Sequence, residues 1–211
     1  DVKEKKIKSN KFKFKKIDIS NFDKTKNFIS SLYKKHQQID LVINNAAVSF
    51  KSSYLKRTPK ELKDTININL LGVINIINSI AKNHDKKNVC KIINIGSIYG
   101  IRSPDFNIYD NINKTNSEIY GASKSGVIQL TKYYATALAK NNIIVNCISP
   151  GGLKNIKNQS KKFINSYSKK VPLKRMTELE DLKMAFLYFA DKRTLYTTGQ
   201  NLIIDGGFTI C

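Results

Sequence analysis

Short runs of aliphatic residues and longer amphipathic stretches alternate along the chain. The aliphatic runs predict buried β-strands at Cys90–Ile95 and at residues 41–43, and further strands at residues 143–148 and 202–204. Residues 11–20 alternate Lys with Phe and Ile, which predicts a half-buried strand. Strands without polar alternation are typical of parallel sheets that are covered on both faces.

Helical periodicity occupies the stretches between these strands. It predicts helices at residues 22–38, 59–83, 119–139 and 181–190. Strands that alternate with helices predict an α/β fold, with a parallel sheet and helices on both faces. Neither an internal repeat nor a linker interrupts the pattern, so we expect residues 1–211 to form a single domain. The polar residues 101–117 are expected to form an inserted loop.

The composition excludes several classes of protein. No apolar run reaches the length of about 18 residues that a membrane span requires, because Asn75 and Asn78 interrupt the longest candidate, residues 70–81. The three cysteines are an odd number without metal-ligand spacing, and the two histidines lie far apart, so no metal site is expected. Such cysteine usage suits a reducing cytoplasm.

The net charge of +21 suggests a polyanionic partner at first sight. However, among 37 basic residues only Arg57, Arg102, Arg175 and Arg193 are arginine, the residue that base and phosphate recognition prefers. Lys, Asn and Ile, which all have AT-rich codons, are abundant together. The charge therefore indicates a solvated lysine-rich surface and a small-molecule substrate, with no nucleic-acid partner.

The segment Tyr120-Gly-Ala-Ser-Lys124 lies at the start of a predicted helix. The i, i+4 spacing places the phenol and the ammonium on one helical face. A tyrosine has an ordinary pKa of about 10, and a neighbouring ammonium favours its charged form. The pair is therefore a candidate general acid/base, although this spacing alone also occurs on many purely structural helices.

Polar and glycine residues follow three predicted strands, where ligands bind in open α/β sheets. Asn45 follows the first, Ser97 the second, and Pro150 with Gly151 the third. Together with Asn69 and the Tyr120 pair, their order and spacing resemble the short-chain dehydrogenase/reductase family, near 3-oxoacyl-carrier-protein reductases and gluconate 5-dehydrogenases. The matching segments are residues 18–19, 44–47, 69–70, 95–97, 120–124, 146–151 and 198–207.

The resemblance implies a Rossmann-type doubly wound fold and a catalytic role for four residues. Tyr120 would exchange a proton with the substrate oxygen, and Lys124 would lower the pKa of that tyrosine and bind the nicotinamide ribose. Ser97 would polarise the reacting carbonyl, and Asn69 would hold a water in a proton relay. As structural alternatives, Ser97 would only cap a turn and Asn69 would only satisfy helix backbone groups.

The resemblance also implies a cofactor, NAD or NADP, without deciding between them. Asp18 and Ile19 would lie beside the adenine, although Asp18 is also placed near the start of a helix, where Asn21 is the better cap. The remaining cofactor-binding residues would be Asn45, Ala46, Tyr120, Lys124, Pro150, Gly151 and Leu153.

The glycine-rich turn with which the family begins has no counterpart, since no glycine precedes Gly72. We therefore expect a sheet that lacks the first β-α-β portion, an N-terminally truncated domain, and weak or absent cofactor binding by the chain as it stands. A non-catalytic remnant is accordingly one alternative function.

A second departure is the segment between Ser97 and Tyr120, which is longer than usual for the family. Phe106, Tyr109 and Asp110 are candidates for substrate contact in this insertion. A polar rim with aromatic residues suits a sugar or nucleotide sugar, and the segment resembles that of relatives encoded with surface-glycan biosynthesis. The alternatives are a tolerated surface loop and reduction of a 3-oxoacyl carrier protein. Homo-oligomers are usual in the family.

Overall fold

The computed structural model describes residues 11–51, 53–109 and 115–211, and its centre is a four-stranded parallel sheet. The strands, in their order across the sheet, are β1 Leu41–Asn44, β2 Cys90–Ile95, β3 Ile143–Pro150 and β4 Asn201–Ile204. Each strand pairs with the next in parallel register. The prediction of a parallel α/β sheet is confirmed.

Helices cover both faces of the sheet, as a doubly wound fold requires. In chain order they are α1 Phe22–His36, α2 Pro59–Ile66, α3 Gly72–Asn83, α4 Glu118–Leu138, α5 Lys161–Lys170 and α6 Leu179–Ala190. On one face, Ile29, Ile77 and Val127 of α1, α3 and α4 share a buried cluster with β-strand residues such as Val145. On the other face, Phe189 of α6 packs in a second cluster. No helix in the described ranges has both the length and the apolar character of a membrane span.

The ends of α1 follow from its capping residues. The Asn21 side chain accepts a hydrogen bond of 2.9 Å from the Lys24 amide, which makes it the N-cap that the sequence indicated. Gln37 has a left-handed φ of 63° and ends the helix after His36, slightly earlier than predicted. Such a residue terminates a helix because its amide turns back to an earlier carbonyl, here that of Tyr33.

The prediction of a strand over residues 11–20 is wrong, since this segment is irregular. Alternation only selects which side chains face a core, whereas a strand also needs a neighbour to supply ladder hydrogen bonds. The segment instead docks on α3: Asn75 donates a hydrogen bond of 2.9 Å to the Ile19 carbonyl, and the Ile19 side chain lies against Gly72.

The expectation that residues 41–43 are buried is also wrong. In the described part of the chain, β1 is an edge strand that pairs only with β2. Leu41 and Ile43 are consequently 37% and 45% exposed, while the final Asn44 is buried. Burial of an aliphatic strand depends on neighbours on both sides, which its own sequence does not specify.

The predicted helix over residues 59–83 is interrupted by a π-helical turn, Asn67–Leu71, in which the Gly72 amide donates to the Asn67 carbonyl. Single π turns inside helices occur frequently at functional sites. Helix α5 was not predicted at all. Its signals are the N-cap Ser160 and the apolar pair Phe163 and Tyr167 at i, i+4 spacing.

Candidate active site

A cavity of about 370 Å³ opens at the carboxyl ends of the strands. Asn45 after β1, Ser97 after β2 and Pro150 at the end of β3 all line it, as do Tyr120 and Lys124 of α4. The sheet brings these residues together because the carboxyl ends of parallel strands meet at one edge. The cavity therefore collects Ser97, Tyr120 and Lys124, whereas the fourth predicted catalytic residue, Asn69, is not among its lining residues.

Helix α4 positions Tyr120 and Lys124 from its first two turns. The Ser117 side chain caps the helix by accepting a hydrogen bond of 3.1 Å from the Tyr120 amide. The Lys124 ammonium lies 5.8 Å from the centroid of the Tyr120 ring and donates a hydrogen bond of 2.6 Å to the Ile95 carbonyl. Lys124 is only 4% exposed, so this ammonium is held at the base of the cavity.

Burial changes the pKa of both groups. It raises the pKa of the Tyr120 phenol, and a hydrogen bond with Ser97 acts in the opposite direction. Burial lowers the pKa of Lys124 to about 8. The net direction for Tyr120 is thus opposite to the one expected from its lysine neighbour, because desolvation disfavours the charged phenolate more strongly.

Ser97 follows β2 and begins a short 3₁₀ turn. Its hydroxyl oxygen accepts a hydrogen bond of 3.1 Å from the Tyr99 amide, and the side chain is nearly buried. Ser97 therefore caps this turn and also lies beside the Tyr120 phenol. The cap holds the hydroxyl in place at the cavity.

Asn69 lies in the π turn and is 1% exposed. Its oxygen accepts from the Val48 amide at 2.8 Å, and its amide nitrogen donates to the Val48 carbonyl at 2.9 Å and to the Ser123 hydroxyl at 3.1 Å. Ser123 in turn donates to the Tyr120 carbonyl at 2.7 Å. Asn69 thus ties the segment after β1 to the catalytic turn of α4, and the water-holding role stays a prediction.

The other predicted site residues fall into two groups. Tyr109 and the segment from Pro150 through Gly151 to Leu153 line the cavity beside Asn45. Ala46 is not among the lining residues, although its two neighbours are.

Asp18, Ile19 and Phe106 lie outside this cavity. The Asp18 carboxylate accepts hydrogen bonds from the amide and hydroxyl of Ser20, so its local role is to close a turn. Phe106 is half exposed and lines a separate cavity beside the insertion. The adenine-side role of Asp18 and Ile19 stays a prediction, and Asp110 lies outside the described residues.

Of an aromatic wall on the substrate side of the cavity, sequence reasoning found only Tyr109 and missed Tyr99, Phe163 and Tyr167. The Tyr99 and Tyr109 hydroxyl oxygens are 2.5 Å apart, and the Tyr109 ring packs 5.1 Å from that of Phe163. Tyr167 stacks on Phe208 with 4.7 Å between ring centroids. Burial raises the pKa of Tyr99 and Tyr109 and raises that of Tyr167 to about 12, so all these phenols are protonated donors.

Gly152 is the point at which this wall meets the loop after β3. Its amide donates a hydrogen bond of 2.7 Å to the Tyr167 hydroxyl. A Cβ atom at this position would lie 2.7 Å from Cζ of Tyr167, closer than side chains tolerate. Only glycine therefore lets the loop approach the tyrosine so closely.

The donors at the strand ends fit a nicotinamide nucleotide. A lysine ammonium has three N–H donors, and that of Lys124 uses one on the Ile95 carbonyl while lining the cavity. The remaining donors suit the hydroxyls of a nicotinamide ribose, and the backbone from Pro150 to Leu153 is available to a carboxamide. Within the described ranges no group of three or more His, Cys, Asp or Glu residues is placed to hold a metal ion.

Comparisons with known proteins place the chain in one family. The profile of a family described as enoyl-(acyl carrier protein) reductase matches residues 2–209. The chain is 30% identical over 196 residues to the 3-oxoacyl-(acyl-carrier-protein) reductase of Thermotoga maritima, covering 92% of this chain and 76% of that protein. It is 27% identical over 197 residues to the post-translational flagellin modification protein A of Campylobacter coli, again covering 92% and 76%.

Among solved structures, a short-chain dehydrogenase of Leptospira borgpetersenii with bound NAD⁺ superposes with a TM-score of 0.89. The two chains are 36% identical, and the match covers 100% of this chain and 81% of that one. The fold, the strand-end cavity and these relatives lead to one assignment. The chain belongs to the short-chain dehydrogenase/reductase family of NAD(P)-dependent oxidoreductases.

Proposed function

We propose that the protein interconverts a secondary alcohol and a ketone, with Tyr120 as the general acid/base. The observation that carries this proposal is the convergence of Ser97, Tyr120 and Lys124 on one cavity at the strand ends. A phenol, a hydroxyl and a buried ammonium supply proton transfer, carbonyl polarisation and charge stabilisation to one oxygen atom.

Each residue acts on a stated atom during reduction. Ser97 donates a hydrogen bond to the ketone oxygen and holds the carbonyl beside the phenol. Tyr120 gives its proton to that oxygen as negative charge develops on it, and the Lys124 ammonium stabilises the resulting phenolate. A nicotinamide nucleotide held at Lys124 and the loop after β3 would supply or accept the hydride. In oxidation, Tyr120 takes the proton back from the alcohol.

For the substrate, we propose a sugar or nucleotide sugar used in surface-glycan synthesis in the cytoplasm. Tyr109 brings the insertion into the cavity wall, and Asn116 adds an amide there, so the rim is polar and aromatic. The flagellin modification protein of Campylobacter coli supports this assignment as a relative. A ketose assayed with NADH and NADPH, and its alcohol assayed with NAD⁺ and NADP⁺, provide the direct test.

Reduction of a 3-oxoacyl carrier protein is the second candidate. The 30% identity to a reductase of that name and the lysine-rich surface, suited to an acidic carrier, favour it. An acetoacetyl thioester assayed beside a ketose separates the two. A non-catalytic protein would turn over neither and would bind no nicotinamide nucleotide.

We further propose that the protein is a homo-oligomer. Helix α6 and the residues after it expose large apolar side chains to an unusual degree, with Leu179 76%, Met184 70% and Tyr196 105% exposed. Large apolar side chains exposed along one segment of the chain favour a protein interface. Light scattering on the purified protein distinguishes a monomer from a dimer or tetramer.

The Tyr120→Phe variant tests the catalytic proposal. We expect it to lower kcat by about 10²–10⁴-fold, since the proton donor is lost while the ring packing is kept. Cofactor affinity, measured by calorimetry, is expected to change little. Tyr133→Phe is the matched control, because Tyr133 lies on the same helix and is 64% exposed. A Tyr120→Phe protein with a tenth or more of the wild-type kcat would remove Tyr120 from this role.

A further inference from the structure

The side chains on the substrate side of the cavity differ in how their hydrogen-bonding capacity is used. The Gln159 side chain makes one hydrogen bond of each kind: its oxygen accepts from the Asn155 amide at 2.7 Å, and its nitrogen donates to the Leu153 carbonyl at 2.9 Å. The oxygen of Asn116 accepts from the Ser49 hydroxyl at 2.8 Å, which leaves its NH₂ group for a ligand. At Asn116 the acceptor is thus used within the protein while the donors are left for a ligand.

The tyrosine hydroxyls show the same imbalance. One of the two hydroxyls of Tyr99 and Tyr109 donates a hydrogen bond to the other. The remaining hydroxyl proton of the pair has no acceptor among the described residues. The Tyr167 hydroxyl accepts from the Gly152 amide, and its own proton likewise finds no acceptor in the described ranges. The side chains of Tyr99, Tyr109 and Tyr167 line the cavity, so these two protons are available to a ligand that accepts hydrogen bonds.

The charged side chains that line the cavity also favour a ligand that accepts hydrogen bonds and carries negative charge. Lys51 and Lys124 line the cavity, and none of the described lining residues is an Asp or Glu. Lys51 forms no ion pair with a described acidic residue. Two further lining amides, Asn45 and Asn158, each carry both N–H donors and an acceptor oxygen and do not change the charge of the lining. A negatively charged group would therefore meet two ammonium groups and no described carboxylate in the lining of this cavity.

We infer that the substrate carries an oxyanion, a carboxylate or a phosphate ester, bound by the Tyr99–Tyr109 pair and the Tyr167 hydroxyl, with Lys51 adding positive charge. This inference rests on the proposed function, since it places the reacting ketone at Tyr120 and the oxyanion at the aromatic wall. Hydrogen bonds to a charged acceptor are about twice as strong as neutral ones, which makes such a group the best match to this donor set.

The double variant Tyr99→Phe/Tyr109→Phe removes the free proton of the pair. In either single variant, the remaining phenol no longer has a tyrosine partner and its proton is free for the ligand. We therefore expect the single variants to lose little affinity for the anion. The control is Tyr133→Phe/Tyr188→Phe, two exposed tyrosines outside the cavity. Lys51→Gln, compared with Lys132→Gln on the surface of α4, gives an independent test if the double variant does not fold.

Binding is measured by calorimetry at constant ionic strength with malonate, its neutral analogue malonamide, and inorganic phosphate. We expect malonate or phosphate to bind the wild type, and to bind about tenfold more weakly to the double variant or to Lys51→Gln. Whichever anion binds identifies the source as carboxylate or phosphate. Absence of binding by both anions, or equal binding by wild type and variants, would overturn the inference.

Turnover separates this inference from the proposed function. Acetoacetate is compared with methyl acetoacetate, and dihydroxyacetone phosphate with dihydroxyacetone, each pair differing only in the charged group. We expect the wild type to prefer the charged member of one pair by about tenfold in kcat/KM, and the double variant to lose that preference. Equal use of both members contradicts the oxyanion site and leaves the oxidoreductase assignment intact. Anion binding without reduction of any ketone contradicts the proposed function instead.

Discussion

The ammonium of Lys124 donates a hydrogen bond of 2.6 Å to the backbone carbonyl of Ile95. This contact joins the catalytic turn of α4 to the carboxyl end of β2, two residues before Ser97. It holds a charged group inside the protein with a neutral carbonyl as its hydrogen-bond acceptor. Lys124 therefore both attaches the catalytic turn of α4 to β2 and carries the positive charge of the site.

The pH dependence of stability should report this buried ammonium. Its pKa is about 8 in the folded protein, against about 10.4 for an unfolded lysine. Between these values the unfolded chain binds a proton that the folded protein does not, so the contribution of Lys124 to the free energy of unfolding rises with pH, by on the order of 1 kcal/mol per pH unit. Below pH 8 both states are protonated and the contribution is constant.

Urea denaturation of the wild type and of Lys124→Met from pH 7 to pH 9.5 measures this effect. The wild type is expected to gain stability relative to the variant as the pH rises through 8. The comparison cancels the titration of other groups, which both proteins share. If the difference in unfolding free energy between the two proteins stays constant from pH 7 to pH 9.5, Lys124 remains charged in the folded protein and the prediction is wrong.

Asn69 is expected to be a stability determinant as well as a site residue. Replacement by Leu removes its hydrogen bonds to Val48 and Ser123 and leaves the Val48 amide and carbonyl without them. We expect a loss of about 3 kcal/mol in the free energy of unfolding, measured by urea denaturation. Asn67→Leu, an exposed position in the same π turn, is the control and should change stability by less than about 0.5 kcal/mol.

The close approach of Gly152 to Tyr167 predicts a coupled pair. Gly152→Ala places a methyl group against the tyrosine ring, so we expect a loss of about 1–3 kcal/mol in stability and a rise in KM for the cofactor. The loss should be smaller when Tyr167 is replaced by Leu, which clears the space. Urea denaturation of the four proteins of this double-mutant cycle measures the coupling energy, and additive effects would argue against the contact.

The sequence by itself determined the strands β2 to β4, most of the helices and the catalytic pair. Aliphatic runs and amphipathic stretches are local signals, because the period of side chains along a strand or helix is set by the backbone. The i, i+4 spacing of Tyr120 and Lys124 likewise fixes their common face wherever the helix lies. Residues that follow parallel strands must meet at one sheet edge, so Ser97 and Pro150 could be placed in the site from their positions alone.

Only the tertiary structure decided the features that depend on distant partners. Residues 11–20 have strand alternation and form no strand, because ladder hydrogen bonds must come from elsewhere in the chain. The pKa of Tyr120 rises because neighbouring elements exclude water from it, which outweighs the hydrogen bond with Ser97 that acts in the opposite direction. The pairing of Tyr99 with Tyr109 and the fit of Gly152 against Tyr167 arise where the insertion and α5 meet. Such contacts are set by packing between segments, and no local period encodes them.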